Sequence, residues 1–377
     1  MRTSYDVIIV GAGSMGMSAG YYLARQGVKV LLLDAFDPPH TSGSHHGDTR
    51  LLRHAYTGAP VYTELALRSD QLWRELEQVS GEPLVIRSGV LNLGPAKAPG
   101  LEAKLQRAAD YKLAVEALDA AAMESRWPGL QLPDSYIGVY EKEAGYVRSE
   151  ACVRAFRQQA AAHSADMLPF TPVTRLESVS QGVAVHTLDK GTYTAKHVVL
   201  SLGAWFGVLQ DTIRLPIRAV RKAVAWFEAE EPMFDVERFP GFTIGGGDGG
   251  YYGFPSSCGS GVKIGRHDGG QAWLPGEAFE PFGHYAEDEQ DVRRALEMFM
   301  PRAAGRVLRG AVCKYEMTPD EHFIIDRHPD NERIVLAGGF SGHGFKFASA
   351  IGEMISDLVT KGSTGFDVTP FALSRFR

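Results

Sequence analysis

Cysteine is scarce: three residues in 377, Cys152, Cys258 and Cys313, with no CxxC pair. That spacing excludes a disulfide framework and a cysteine-rich zinc site, and it makes a reducing cytoplasm the expected compartment. Lysine and arginine form no long run, and 39 basic against 45 acidic residues leave a formal charge of −6. Neither a basic nucleic-acid face nor a polybasic membrane patch follows, so nucleic acid and membrane are not expected partners. Internal repeats and low-complexity tracts are lacking too. What is there, 44% hydrophobic and 22% charged residues, is ordinary globular composition. At roughly 150 residues per domain the chain has room for about two domains.

One uncharged stretch, Val7 to Leu23, approaches the length that a bilayer needs. Its glycines and serines, and the lack of a basic n-region or a cleavage site, fit a strand–turn–helix better. No targeting signal is read. Tyr5 to Val10 is an apolar, β-branched strand. Gly11-Ala12-Gly13-Ser14-Met15-Gly16 follows, then a helix to about Gln26 with Gly27 as its stop, and a second strand from Val28 to Leu33 ending at Asp34. Strand, GxGxxG, helix, strand and acidic residue together make the dinucleotide-binding fingerprint. Gly11 permits the turn, Gly13 lets the backbone approach a pyrophosphate, and Gly16 lets helix pack on strand. The helix N-terminus faces the phosphates and Asp34 the adenosine ribose.

Beyond this unit, Pro38 to Tyr56 reads as a polar loop, and helical patterns cover Tyr62 to Gln78, Leu101 to Asp110 and Arg148 to His163. From Val173 to Gly203 the period is two, a β-meander whose last strand returns to a parallel sheet. Leu215 to Glu228 and Tyr251 to Ile264 read as strands of a second, antiparallel sheet, with Gly245 to Gly250 a flexible turn between them. Arg333 to Ala337, a glycine-rich loop and a helix from Phe345 to Thr360 close the chain. The expected fold is α/β: a discontinuous Rossmann-like domain (1–85, 144–216 and 312–377) with a substrate domain (86–143 and 217–311) on a mostly antiparallel sheet.

The fingerprint alone does not separate NAD from FAD. An N-terminal βαβ unit, a meander leading to Leu202-Gly203-Ala204-Trp205, and a C-terminal glycine-rich helix start favour FAD. A helix N-terminus there suits negative charge on a reduced flavin. The motifs VIIVGAGSMG, GSHHGDTRLLRHAY, YYGFP with VKIGRHDGGQ, GAVCKYEMTPDEHFIID and GGFSGHGFKFA, in that order, resemble the monomeric sarcosine oxidase and N-methyltryptophan oxidase family of covalent flavoproteins over essentially the whole chain. VRSGVLNLGPA, RWPGLQLPDSYIGVYE and TPFALSRF look closer to its N-methyltryptophan branch.

That resemblance implies one FAD per chain, tethered through Cys313, where a free cysteine would otherwise be read as a small buried hydrophobe. It implies that Arg53 and Lys346 clamp a substrate carboxylate, which a planar guanidinium binds bidentately. Arg50 is placed against the flavin, His46 at the flavin or active-site water, and Tyr252, His267 and Tyr315 at the substrate. On their own, the arginines would be surface ion pairs, the tyrosines core, and His267 solvated. Lys263, flanked by Val262 and Ile264, would by alternation face solvent, and the resemblance instead implies oxygen activation. Further cofactor contacts are placed on Ser14, Met15, Ser44, His45, Thr49, Val173, Gly203, Trp205, Gly342 and Gly344. His40, His45 and His46 lack the spacing and partners of a metal site.

The implied activity is oxidative demethylation of an N-methyl-L-amino acid, best N-methyl-L-tryptophan, with O₂ and water, giving the amino acid, formaldehyde and H₂O₂ in a cytoplasmic monomer. The alternatives are a sarcosine or small secondary-amine oxidase, a quinone-linked dehydrogenase, and a non-catalytic flavin-binding protein.

Overall fold

The computed structural model describes residues 3–245 and 250–377, so the centre of the Gly245–Gly250 turn lies outside the described residues. Strand Ser4–Val10 is flanked in parallel by Val30–Leu33 and Thr192–Leu200. A strand paired on both edges and covered on both faces must be apolar throughout, which is why it reads as an unbroken hydrophobic run. Asp166–Leu168 extends one side, and the meander strands Val173–Val179 and Gly182–Thr187 extend the other. Asn331–Gly338 joins in parallel beside Thr192–Leu200 and carries Ile324–His328 antiparallel. The sheet thus has eight strands, contributed by both ends of the chain.

Helix Ser14–Arg25 packs against Ser149–Ala162 and Ala348–Thr360. It meets the C-terminal helix closely enough that a Cβ on Gly352 would collide with Ser18. A second, nine-stranded sheet is built around Arg218–Phe227, Val262–Arg266, Tyr251–Phe254 and Gly241–Ile244. Val90–Pro95, Tyr136–Glu141 and Val115–Asp119 complete its far side, and helix Glu287–Phe299 packs on it.

Four features differ from the sequence reading. The polar loop to Tyr56 contains a strand, Thr49–Leu52, paired antiparallel with Gly145–Arg148; a four-residue strand is too short to show a period. Tyr251 to Ile264 is two antiparallel strands rather than one. The C-terminal helix opens with a 3₁₀ turn, Phe345–Phe347. Finally, the 311/312 boundary falls inside one strand, Val307–Met317, which pairs with Arg218–Phe227 along a ladder from Arg218–Met317 to Phe227–Val307.

Candidate active site

Two cavities open on either side of the strand Val307–Met317. Its successive residues alternate, so Tyr315 faces the smaller and Glu316 the larger. The larger cavity, about 510 Å³, lies where Ser4–Val10, Val30–Leu33 and Thr192–Leu200 end. Crevices at strand carboxyl ends are where open α/β sheets bind ligands. Gly11, Gly13, Ser14, Met15 and Asp34 line it, with Ser44, His45, Val173, Gly203 and Trp205.

The glycines divide the labour. Gly11 has φ +91°, and any Cβ there would run into the Ser201 carbonyl. Gly16 is behind the cavity, where a Cβ would overlap the Gly11 carbonyl oxygen. Gly13 is different: the nearest atom to its would-be Cβ is His45 Nδ1 at 3.6 Å, so no protein packing demands a glycine. Space kept open at the start of a helix suits a close-approaching phosphate, and the cavity as a whole fits FAD. Asp34 accepts hydrogen bonds from the Ala12 and Phe36 amides at 2.8 and 2.9 Å. Those bonds fix its carboxylate at the cavity edge. Burial pushes the His45 imidazole down to about 3, with His40 and His46 adding repulsion, so His45 is neutral. Its Nε2 accepts the His40 amide at 3.0 Å. No group of three or more metal-ligating residues occurs among the described residues.

The smaller pocket, about 60 Å³, collects cations from distant segments. Arg50, Arg53 and Lys346 line it with Tyr252, His267, Tyr315 and Gly342. Arg50 is pinned by the carbonyls of Thr49, Ser44 and His46 at 2.8, 2.8 and 2.6 Å. Arg53 donates to Asn92 Oδ1 at 3.2 Å and faces the Tyr56 ring. Lys346 donates to the His343 carbonyl at 2.6 Å. The Tyr315 hydroxyl donates to that of Tyr252 at 3.3 Å. Tyr315 packs so closely on Gly342 that a side chain there would overlap its ring. His267 is buried rather than solvated.

Cys313, Lys263, His46, Thr49 and Gly344 line neither cavity. Cys313 is buried opposite Lys222 on the paired strand. Burial pushes its thiol up, and Arg50, Lys263, Lys222 and Lys314 oppose that by favouring the thiolate. Lys263 is buried instead of solvent-facing, because its strand is covered on both sides. Its ammonium donates to the Gly47 carbonyl and, at 3.1 and 3.2 Å, to the carbonyl and hydroxyl of Thr49. The rings of Phe254 and Trp226 lie 4.7 and 5.2 Å from it. Desolvation pushes Lys263 well below the usual lysine range, and the Arg50 guanidinium adds to that shift. Burial and Arg50 likewise push His46 down to about 4, and its Nε2 has no hydrogen-bond partner among the described residues. Gly344 supports the loop, its Cβ position filled by Phe340.

Sequence reasoning missed several wall residues. Ser201, whose hydroxyl donates to the Gly11 carbonyl at 2.6 Å, immediately precedes the Leu202-Gly203 turn and was readable from that position. Thr171 and Pro172 line the large cavity, and Thr243 and Phe254 the small one, with no local signal. Glu316 lies in a strand that also carries Arg309 and Lys314, so nothing local marked it as a wall residue.

The profile of the FAD dependent oxidoreductase family matches residues 6–358. The monomeric sarcosine oxidase of Bacillus sp. (strain NS-129) is 45% identical over 379 residues, covering 100% of this chain and 98% of its own. The N-methyl-L-tryptophan oxidase of Citrobacter koseri is 45% identical over 374 residues, covering 99% of both chains. Among solved structures, glycine oxidase from Geobacillus kaustophilus superposes with a TM-score of 0.83 at 22% identity, covering 99% of both chains. That likeness speaks to the fold. The described residues include no helix long and apolar enough to cross a membrane.

Proposed function

The chain belongs to the family of FAD-dependent oxidoreductases, and on that premise we propose that it is an oxidase of N-methyl-L-amino acids. One observation carries the reading: Arg53, Lys346 and Arg50 converge with Tyr252, Tyr315 and His267 on one pocket, across a strand from the cofactor cavity. A guanidinium and an ammonium facing one pocket suit an amino-acid carboxylate, which accepts charge-assisted hydrogen bonds from both. Arg53 and Lys346 bind that carboxylate, while Tyr252, Tyr315 and His267 hold the amine end. Arg50 and His46 face the cofactor side, Cys313 forms the covalent tether, and Lys263 serves the oxygen step. Bound FAD would supply the redox chemistry, two-electron oxidation of the N-methyl amine with O₂ as the final acceptor to give H₂O₂, and hydrolysis of the oxidised substrate by water would give formaldehyde and the amino acid. The sheet built on Ser4–Val10 is the cofactor unit, the nine-stranded sheet the substrate unit, and the enzyme a cytoplasmic monomer.

N-methyl-L-tryptophan is the preferred substrate on the motif likeness, and the similarity to its oxidase in Citrobacter koseri is consistent with that. Sarcosine is the second reading, supported by the small size of this pocket, about 60 Å³, beside the 510 Å³ cavity. Anaerobic titration with sarcosine, N-methyl-L-tryptophan and N-methyltryptamine, followed by air, tests both. Bleaching by the two amino acids but not by the amine, then H₂O₂ on aeration, is the expected result. Bleaching without H₂O₂ identifies a dehydrogenase, and no bleaching a non-catalytic flavin protein. A higher kcat/KM for sarcosine moves the enzyme to the second reading. Acid-precipitated protein that stays yellow, with a flavopeptide containing Cys313, supports the tether; complete release of flavin sinks it.

A further inference from the structure

Glu316 is an odd wall for a cavity that takes a dianionic dinucleotide. It is 6% exposed and lines the 510 Å³ cavity, and no ion pair to it occurs among the described residues. Its Oε2 accepts the Gly339 amide at 3.1 Å, and its own carbonyl accepts the Ser341 amide at 3.0 Å. These bonds tie it to the glycine-rich loop before the C-terminal helix. Oε1 lies on the side of Gly203, 4.0 Å from where a Cβ on that glycine would be, and Gly203 is itself a wall of the cavity. The residue facing Glu316 on the paired strand is Ala219, which offers no charge.

An ionised carboxylate there would repel the pyrophosphate at short range in a low-dielectric site, where such repulsion is strong. A neutral carboxylic acid offers a hydroxyl donor instead. We propose that Glu316 is a cofactor contact that keeps its proton in the loaded enzyme and donates it in a hydrogen bond to an oxygen of the bound dinucleotide. The proposal rests on FAD filling this cavity and is independent of whether Cys313 forms the tether. Burial already pushes the Glu316 carboxyl up to about 8 without a ligand, against the opposing amides of Gly339 and Phe340, and an adjacent anion raises it further.

Other groups on the surrounding elements need to be separated from it. Lys314 is on its own strand; Arg218, Arg221 and Lys222 are on the paired strand; His343 is on the C-terminal loop; Asp34, His40 and His45 lie on the other cavity walls. The turn Gly203–Leu209 carries no charged side chain. Arg221 is paired with Asp288 at 2.7 Å, and His45 is neutral well below this range. Lys314 and Lys222 are both pushed down to about 8 by burial, so both titrate in the same window as Glu316.

The test uses the full chain with Cys313→Ala, in which FAD is held without a covalent bond whether or not the parent forms one. The dissociation constant of FAD is measured by ultrafiltration and flavin absorbance between about pH 6.5 and 9.5, where far-UV circular dichroism shows the chain folded. One obligatory proton gives a dissociation constant that is flat at the low end and steepens toward about tenfold per pH unit above pH 8. Adding Glu316→Gln, a permanent neutral donor, should leave the constant within a few-fold of the parent at pH 7 and flatten the profile. An unchanged slope in Glu316→Gln, a flat parent profile, or tighter binding at high pH would each overturn the proposal. Should Glu316→Gln fail to fold, calorimetry of FAD binding near pH 9 in two buffers of different ionisation enthalpy decides. Net uptake approaching one proton per FAD is expected and should persist in Lys314→Met and in Lys222→Met; no uptake, or uptake lost in either lysine variant, overturns it. If FAD does not bind the Cys313→Ala protein at any pH, the cavity assignment itself has failed, which is a different outcome from a missing pH dependence.

Discussion

The larger cavity and the smaller pocket share a wall but are made differently. The larger is lined in good part by glycines, serines and other residues of the turns that follow three parallel strands. The pocket is walled by long cationic and aromatic side chains delivered from Thr49–Leu52, Tyr251–Phe254, Val307–Met317 and the C-terminal helix start. A local turn can be specified by residues a few positions apart, so its chemistry is legible in a short motif. A pocket assembled from several distant segments carries no such signature. Its cations are brought together from separate segments, so a carboxylate entering the pocket would meet a guanidinium and an ammonium at once.

The contrast predicts its largest effect at Lys263, buried between Trp226 and Phe254 and held by the Gly47–Thr49 loop. Desolvation depresses Lys263, and an adjacent anion favours its protonated form; an ammonium about 4 Å from a newly formed superoxide anion then stabilises it by roughly 4 kcal/mol at an effective dielectric near 20. Each ~1.4 kcal/mol is tenfold in rate. In Lys263→Met, stopped-flow reoxidation by O₂ should therefore slow by about two to three orders of magnitude, with anaerobic reduction by substrate changed far less. Equal loss in both half-reactions would turn Lys263 into a structural residue and weaken the division between the two regions.

The next effect separates glycines inside the fingerprint. Gly16→Ala forces a Cβ into the Gly11 carbonyl and the Ser201 hydroxyl, and overpacking of that kind costs roughly 1–3 kcal/mol or more. Gly13→Ala meets only His45 Nδ1 at 3.6 Å, so the apoprotein should melt within about 0.5 °C of the parent, the shift that a few tenths of a kcal/mol produces in a chain of this length. Its FAD loading should nonetheless fall, since the methyl enters the space left for the ligand. Thermal melts of apoprotein beside flavin content check both. Loss of apoprotein stability in Gly13→Ala would return that glycine to packing.

How much of this was readable follows the same line. Asp34, Gly11, Gly13 and Gly16 were placed by the βαβ pattern; Gly11 and Asp34 directly follow the strands Ser4–Val10 and Val30–Leu33, Gly13 caps the helix Ser14–Arg25, and Gly16 lies in its first turn. Arg50, Arg53, Lys263, Lys346 and Cys313 came only through resemblance. Taken alone, alternation assigned Lys263 to solvent, because a period-two rule assumes one wet face and Val262–Arg266 has none. The strand Thr49–Leu52 stayed hidden in a polar loop because its pairing partner, Gly145–Arg148, is far along the chain. Glu316 was invisible for another reason: with Lys314 two residues before it on the same strand, a surface ion pair would be the ordinary expectation, and nothing local shows that the acid is buried without one.

The smallest effect concerns Lys222, at the back of the pocket. It donates to the main-chain carbonyls of His267 and Gly269 at 2.6 and 2.5 Å, and its ammonium lies 5.2 Å from the Tyr315 ring. It therefore fixes the turn that carries His267. Burial pushes it down to about 8 from an ordinary 10.5, with Asp268 pulling the other way. A lysine depressed in the folded state binds fewer protons there than in the unfolded chain between about pH 8 and 10.5, so its contribution to stability rises with pH across that window. Below pH 8 both states are charged, and the folded state carries the full cost of burying the ammonium, partly offset by the two carbonyls. In Lys222→Met that cost and those hydrogen bonds vanish together. Stability at pH 7 should change little, because relief from burying the ammonium opposes the loss of its bonds to the His267 and Gly269 carbonyls. Lys314 and Glu316 titrate in overlapping ranges, so the diagnostic is the difference between parent and variant. Parent minus variant melting temperature should be flat below pH 7.5 and climb between pH 8 and 10. A difference that stays flat, or falls, would mean that Lys222 is not the buried cation that the pocket's architecture requires.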